Sequence, residues 1–231
     1  MVYLIHGDDI IESRKKLEEL TQNSPWVIRL DGKNNNLSEV LNAIEAQELF
    51  NDKKTIVIEN VLGFGGESIK KLIEIINKNQ LDGTDILIWH NDNLTAAQVK
   101  WFKNAKPLVF SLPKLYYKFL DSITLGNCEA VRRLLYNIYP QIAAEQIFYS
   151  IIKRVRILLI IKTGILEEFE DTKKMAPWQI GILKKQASGW QKDKLVDFYQ
   201  KLFDIEMRLK TSQLPMSLIN HIDILLLQEL K

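Results

Sequence analysis

Two adjacent carboxylates, Asp8 and Asp9, follow the apolar run Val2–His6. Carboxylates at the carboxyl end of a strand can hold Mg²⁺ for phosphoacceptor chemistry. Such a site also needs an acid at the end of a third strand and a lysine at the end of a fifth. The chain offers Glu59-Asn60 for the first, while Lys106 precedes the fifth strand and so lies at the opposite edge of the sheet. The competing role is simpler: Asp at a helix N-cap accepts a backbone N–H of the first turn. The same turn, Gly7-Asp8-Asp9-Ile10-Ile11-Glu12, is where a phosphate loop would stand. That loop requires several glycines that expose N–H groups and a lysine for the β/γ-phosphates. Here there is one glycine and two repelling carboxylates, and no G-x-x-x-x-G-K-[ST] occurs.

Other chemistry-bearing residues form no site. Gly63-Phe64-Gly65-Gly66 lacks the third glycine of a dinucleotide fingerprint, with Ser68 in its place, and reads as a loop that opens a helix. His6, His90 and His221 show no ligand spacing, and Cys128 is alone. Neither a metal nor a cofactor is expected. Arg132-Arg133 and the group Lys153, Arg154 and Arg156 are basic clusters on helical segments. They suit nucleic-acid phosphates, although an ion-paired surface is the commoner use of such clusters.

The elements that position these residues change character midway. Runs at 2–6, 26–31, 55–59, 85–90 and 107–112 are nearly continuous in apolar residues, as strands buried on both faces are. Helical patterns lie between them, near 9–21, 37–47, 67–78 and 95–105. Strands alternating with helices predict a parallel sheet covered on both faces. From 114 onward only helices are predicted, near 114–124, 128–138, 142–163, 175–188, 192–211 and 215–230, punctuated by Pro140, Gly164, Pro177 and Pro215. The expected fold class is an α/β domain, residues 1–113, followed by an all-α domain, residues 114–231.

Charge follows that division. Residues 1–112 carry 13 Lys/Arg and 16 Asp/Glu, whereas residues 113–231 carry 18 and 13. Any contact with nucleic acid is therefore expected in the second half. The apolar run at 157–161 is far too short to span a bilayer, and the chain reads as cytoplasmic, with no membrane partner.

The segment 37–50, L-S-E-V-L-N-A-I-E-A-Q-E-L-F, holds an apolar pair out of register. Leu37, Val40, Leu41 and Ile44 make one core-facing stripe. At about 100° per residue, Leu49 and Phe50 fall roughly 120° and 220° from Leu37. On a continued helix they face away from the core, as a docking wedge would. Alternatively the helix stops near Gln47 and the pair covers the bottom of the next strand. In the last helix the apolar residues, Met216 and Leu227 among them, spread over roughly 200°, more than one core face needs. That predicts an oligomerisation surface, unless the helix is enclosed in its own domain.

Several stretches in order resemble the delta subunit of the bacterial DNA polymerase III clamp loader. They are Y-L-I-H-G-D-D at 3–9, E-A-Q-E-L-F-N-D-K-K-T-I-V-I-E at 45–59, F-L-D-S-I-T-L-G-N at 119–127, I-I-K-R-V-R-I-L-L-I-I-K at 151–162 and D-I-E-M-R-L-K-T at 204–211. The resemblance implies an AAA+-like first domain without a phosphate loop and a collar-type helical domain for oligomerisation. It implies a shortened arrangement, because the chain passes at Pro113 directly to the C-terminal helices, without the family's middle helical domain. It places the clamp-binding wedge at Leu49 and Phe50, with Glu45, Ala46, Gln47 and Glu48 before it. The implied activity is to bind the DNA sliding clamp and open it, or hold it open, for loading on primed DNA. The implied partners are the clamp, the ATPase and delta-prime type subunits, and primed DNA, with no intrinsic catalysis. A nucleotide-hydrolysing or phosphoacceptor enzyme using Asp8 and Asp9, and a structural adaptor without a clamp partner, are the alternatives.

Overall fold

The computed structural model describes residues 1–46, 53–78, 83–173 and 175–231. Five parallel strands, β1 (Val2–His6), β2 (Val27–Asp31), β3 (Lys54–Glu59), β4 (Thr84–His90) and β5 (Lys106–Val109), form one sheet in the order β2-β3-β4-β1-β5. Helices α1 (Ile10–Thr21), α2 (Leu37–Glu45), α3 (Gly66–Lys78) and α4 (Ala96–Val99) belong to the same unit. Side chains alternate across a strand, so each strand feeds two cores. Leu4, Ile56, Ile58, Ile86 and Ile88 pack with Val40, Leu72 and Ile76 on one face. Ile5, Val57, Leu87 and Trp89 pack with Leu17 on the other. This is the two-sided burial that unbroken apolar strands imply.

One expected helix is much shorter. The pattern at 95–105 predicts a full helix, but α4 ends at Val99. The reason is Asn77 at the end of α3. Its amide donates to the Trp101 carbonyl at 2.7 Å and accepts the Lys103 N–H at 3.0 Å. These groups are thereby taken out of a helical ladder, and the chain turns so that Phe102 is buried.

Compact units run from Met1 to Leu112 and from Pro113 to Lys231. The second holds α5 (Lys114–Asp121), α6 (Cys128–Ile138), α7 (Ala144–Thr163), α8 (Glu170–Lys173), α9 (Pro177–Ser188), α10 (Lys192–Lys210) and α11 (Leu218–Glu229). Helix α7 is its centre: Ile147, Phe148, Ile151, Val155, Ile157, Leu158 and Ile160 are buried round most of its circumference. No helix among the described residues is long and apolar enough to cross a membrane.

Candidate functional site

Helix α2 starts at an Asn36 N-cap, whose side chain accepts the Glu39 N–H, and stops at Glu45. Ala46 leaves the helical region at φ −58°, ψ 128°. The helix is therefore shorter than the 37–47 expected. Gln47, Glu48, Leu49 and Phe50 lie outside the described residues. What is described is the frame on either side of them.

That frame is built on Lys54, the first residue of β3. A helix leaves its last carbonyls without N–H partners, and a cation there is favoured twice, by hydrogen bonding and by the helix dipole. Lys54 supplies that cation from the neighbouring strand. Its Nζ donates to the carbonyls of Ala43 at 2.8 Å, Ile44 at 3.0 Å and Ala46 at 2.5 Å. All three ammonium protons are used. The Trp26 ring centroid lies 5.3 Å from the same nitrogen, within cation–π range. Lys54 is only 6% exposed, and burial pulls its pKa below the ordinary lysine value. Both ends of the segment between Ala46 and Lys54 are thus fastened to one buried ammonium.

At the carboxyl edge of the sheet the β1–α1 turn is closed by the protein's own groups. The Gly7 N–H donates to the Asp92 carbonyl at 3.1 Å and the Asp9 N–H to the Phe110 carbonyl at 2.9 Å. Asp8 Oδ1 accepts the Leu112 N–H at 2.8 Å, and Asp9 Oδ1 accepts the Glu12 N–H as the N-cap of α1. Gly7 has φ +139°, and a Cβ there would sit 1.8 Å from the Phe110 oxygen. N–H groups that a phosphate would need point into the protein instead. Beside the turn, Arg14 donates to both Glu59 oxygens at 2.6 Å and stacks 3.6 Å from the Trp89 ring centroid. Glu59, at the third strand's end, is thereby engaged with an arginine. No cluster of three or more His, Cys, Asp or Glu suited to a metal occurs among the described residues.

The sequence profile of the family described as DNA polymerase III, delta subunit, matches residues 3–111, nearly all of the first unit. Over that unit the chain is similar to the DNA polymerase III delta subunit family. Among solved structures, the DNA clamp loader delta protein of Bacillus subtilis is 11% identical with a TM-score of 0.49, with 99% of this chain and 95% of that one covered. A DNA polymerase III gamma subunit-related protein from Thermotoga maritima is 10% identical with a TM-score of 0.36, with 99% and 93% covered. No curated protein matches the sequence.

In the second unit the basic residues separate. Lys153 and Arg156 are exposed on α7. Arg154 is turned inward, bonded to Asp121 at 2.8 Å and to Gln186 at 2.9 Å, with its side chain 13% exposed. It is an internal ion-pair partner, which corrects its reading as a phosphate contact. Arg132 is likewise committed, bidentate to Asp223 at 2.5 and 2.7 Å, and the Tyr136 hydroxyl donates to the same carboxylate at 3.0 Å. These bonds hold the Asp223 carboxyl below its ordinary value.

Met216 and Leu227 also part company. Helix α11 begins at Leu218, so Met216 sits in the turn before it rather than on its arc, and is exposed. Leu227 is half-buried. Leu218, Ile219, Ile222, Leu225 and Leu226 are all buried, so their part of the wide apolar arc is enclosed.

Sequence reasoning missed Lys54 and Arg14, and it weighed Glu59 as a metal ligand rather than as the partner of Arg14. Lys53-Lys54 reads as a hydrophilic run, and nothing local marks one of its members as buried. One local signal exists: only Thr55 separates Lys54 from the unbroken apolar run 56–58.

Proposed function

We propose that this chain is a delta-type clamp-loader subunit that binds the ring-shaped DNA sliding clamp through residues 45–50, with Leu49 and Phe50 as the apolar wedge and Glu45, Ala46, Gln47 and Glu48 leading into it. The supporting observation is the Lys54 cap. It holds Ala46, at the end of α2, and itself begins β3, so the described residues on either side of the proposed wedge share one fixed base. Burial of a Phe side chain is worth about 4–5 kcal/mol gross, before the costs of association. A ligand shifts a conformational equilibrium only by its differential affinity for the two states. A wedge that fits the sprung ring better than the closed one therefore opens the clamp or holds it open.

The chain itself does no catalysis and takes no cofactor in this reading. ATP hydrolysis belongs to partner subunits of the ATPase type, which act with a delta-prime type subunit on primed DNA in the cytoplasm. The second unit joins those subunits, with Met216 and Leu227 as candidate contacts to them and Lys153 and Arg156 as candidate contacts to DNA phosphates. The hydrogen bonds that close the Gly7-Asp8-Asp9 turn weigh against the phosphoacceptor and nucleotide readings. A purified cognate clamp decides between a loader subunit and an adaptor. Leu49→Ala/Phe50→Ala should weaken clamp binding at least tenfold, because a few buried anchors dominate an interface. Wild-type affinity in that variant would remove the wedge.

A further inference from the structure

The strands of the first unit are parallel, so all five start at one end of the sheet. Lys54 and the α2 end that it caps lie there. The turn that leads into β5 lies there too, and so does the last turn of α3, because a crossover helix runs back against the strands it joins. Asn77 of α3 fixes that turn. Its amide donates to the Trp101 carbonyl at 2.7 Å and accepts the Lys103 N–H at 3.0 Å, and its own carbonyl accepts the Asn104 amide at 2.9 Å. Phe102 is thereby turned into the core that Val40 and Ala43 of α2 share. Trp101 is turned out and is 41% exposed. Tryptophan is enriched among the anchors of interfaces, and an indole held on a rigid turn loses little freedom when it is covered.

Charge and position say what covers it. Lys100, Lys103 and Lys106 are exposed around it, and none makes an ion pair among the described residues. No Asp or Glu occurs from 93 to 112. Acids at the same end are engaged: Glu74 with Lys78 at 3.6 Å, and Asp85 with the Met1 amino group at 2.5 Å. The turn therefore suits a surface that carries carboxylates. Nucleic-acid phosphates share that charge, but the position favours the partner of the proposed wedge. β5 stands three strand spacings from β3, about 14 Å. A standard interface covers about 800 Å² per partner, a patch roughly 30 Å across, so it takes in both points.

We infer that Trp101 is a second anchor for the sliding clamp, seated on an acidic strip of the clamp's surface beside the pocket for Leu49 and Phe50. This rests on the reading of the chain as a clamp-binding subunit. The test titrates the full chain with the purified cognate clamp at low and high salt. Trp101→Ala should weaken binding at least about fivefold, with circular dichroism and melting temperature retained. Lys100→Glu/Lys103→Glu, confined to exposed side chains, should weaken it severalfold through slower association and flatten its salt dependence. Wild-type affinity in Trp101→Ala overturns the inference, and the loader reading stands if Leu49→Ala/Phe50→Ala still loses binding. If Trp101→Ala lowers the melting temperature, the lysine variant decides: unchanged affinity and salt dependence overturn the inference. A wild-type chain that does not bind the clamp removes the loader reading and the inference with it. If Trp101→Ala binds the clamp normally but loses a primed or single-stranded oligonucleotide that the wild type holds, nucleic acid is the occupant and the assignment is overturned.

Discussion

The ammonium of Lys54 lies 2.5 Å from the carbonyl oxygen of Ala46, eight residues back along the chain. A strand residue thereby finishes a helix, a task usually left to a local glycine or a residue of the last turn. The consequence is geometric: the end of α2 and the start of β3 are held at one point.

Replacing Lys54 tests that arrangement. Lys54→Met keeps much of the stem but leaves the carbonyls of Ala43, Ile44 and Ala46 without their donor. Buried polar groups left unpaired cost about 1–3 kcal/mol. Urea unfolding of the variant should show a loss of that order. Clamp affinity should fall even under conditions where the variant is fully folded. Unchanged affinity at full folding would separate the cap from function.

Gly7 should be irreplaceable by alanine. The new Cβ would meet backbone, not a flexible side chain, and φ +139° is strained for any L residue. Gly7→Ala should lower stability by at least about 3 kcal/mol, read as a large drop in melting temperature. A near-normal melt would show that the β5 end can move aside.

Acid should weaken the first unit. His6 and His90 are register partners at the ends of β1 and β4. His6 Nδ1 accepts the Leu94 N–H at 3.3 Å, while His6 Nε2 and His90 Nδ1 are buried without a partner. Burial lowers both pKa values, although Asp92 opposes this at His90. The unfolded chain then binds more protons, so stability is full above about pH 6.5 and falls as pH drops through that value. Denaturation midpoints at pH 7.5 and 5.5 should differ, and His6→Asn/His90→Phe should reduce the difference. An equal pH dependence in the variant would place its origin elsewhere.

Mg-ATP should give no saturable heat in calorimetry at micromolar protein. The Gly7 and Asp9 N–H groups are spent on Asp92 and Phe110, and two carboxylates stand in the turn. A micromolar dissociation constant would restore the enzymatic alternative.

Much of this architecture is legible in the residues. Unbroken apolar runs give β1–β4 within one or two residues, since a strand buried on both faces leaves no polar position. Asp9 reads as a cap because capping is a local interaction. The rest depends on partners far along the chain. Asn77 shortens α4 through Trp101 and Lys103, and Arg14 meets Glu59 across 45 positions. Arg154 looks like a surface cation until Asp121 and Gln186 close on it. The Lys54 cap is invisible for a related reason: burial of a lysine is decided by the helix end above it, not by its neighbours in sequence.

The position of Lys54 has a mechanical consequence. β3 is paired along its length on both sides, with β2 from Thr55 to Glu59 and with β4 from Lys54 to Glu59. Tension applied near Ala46 enters the sheet through the end of this doubly bonded strand. Load along a strand shears its bonds together, whereas load across an edge peels them one at a time. A load that enters at Lys54 is therefore borne by the part of the sheet that yields least.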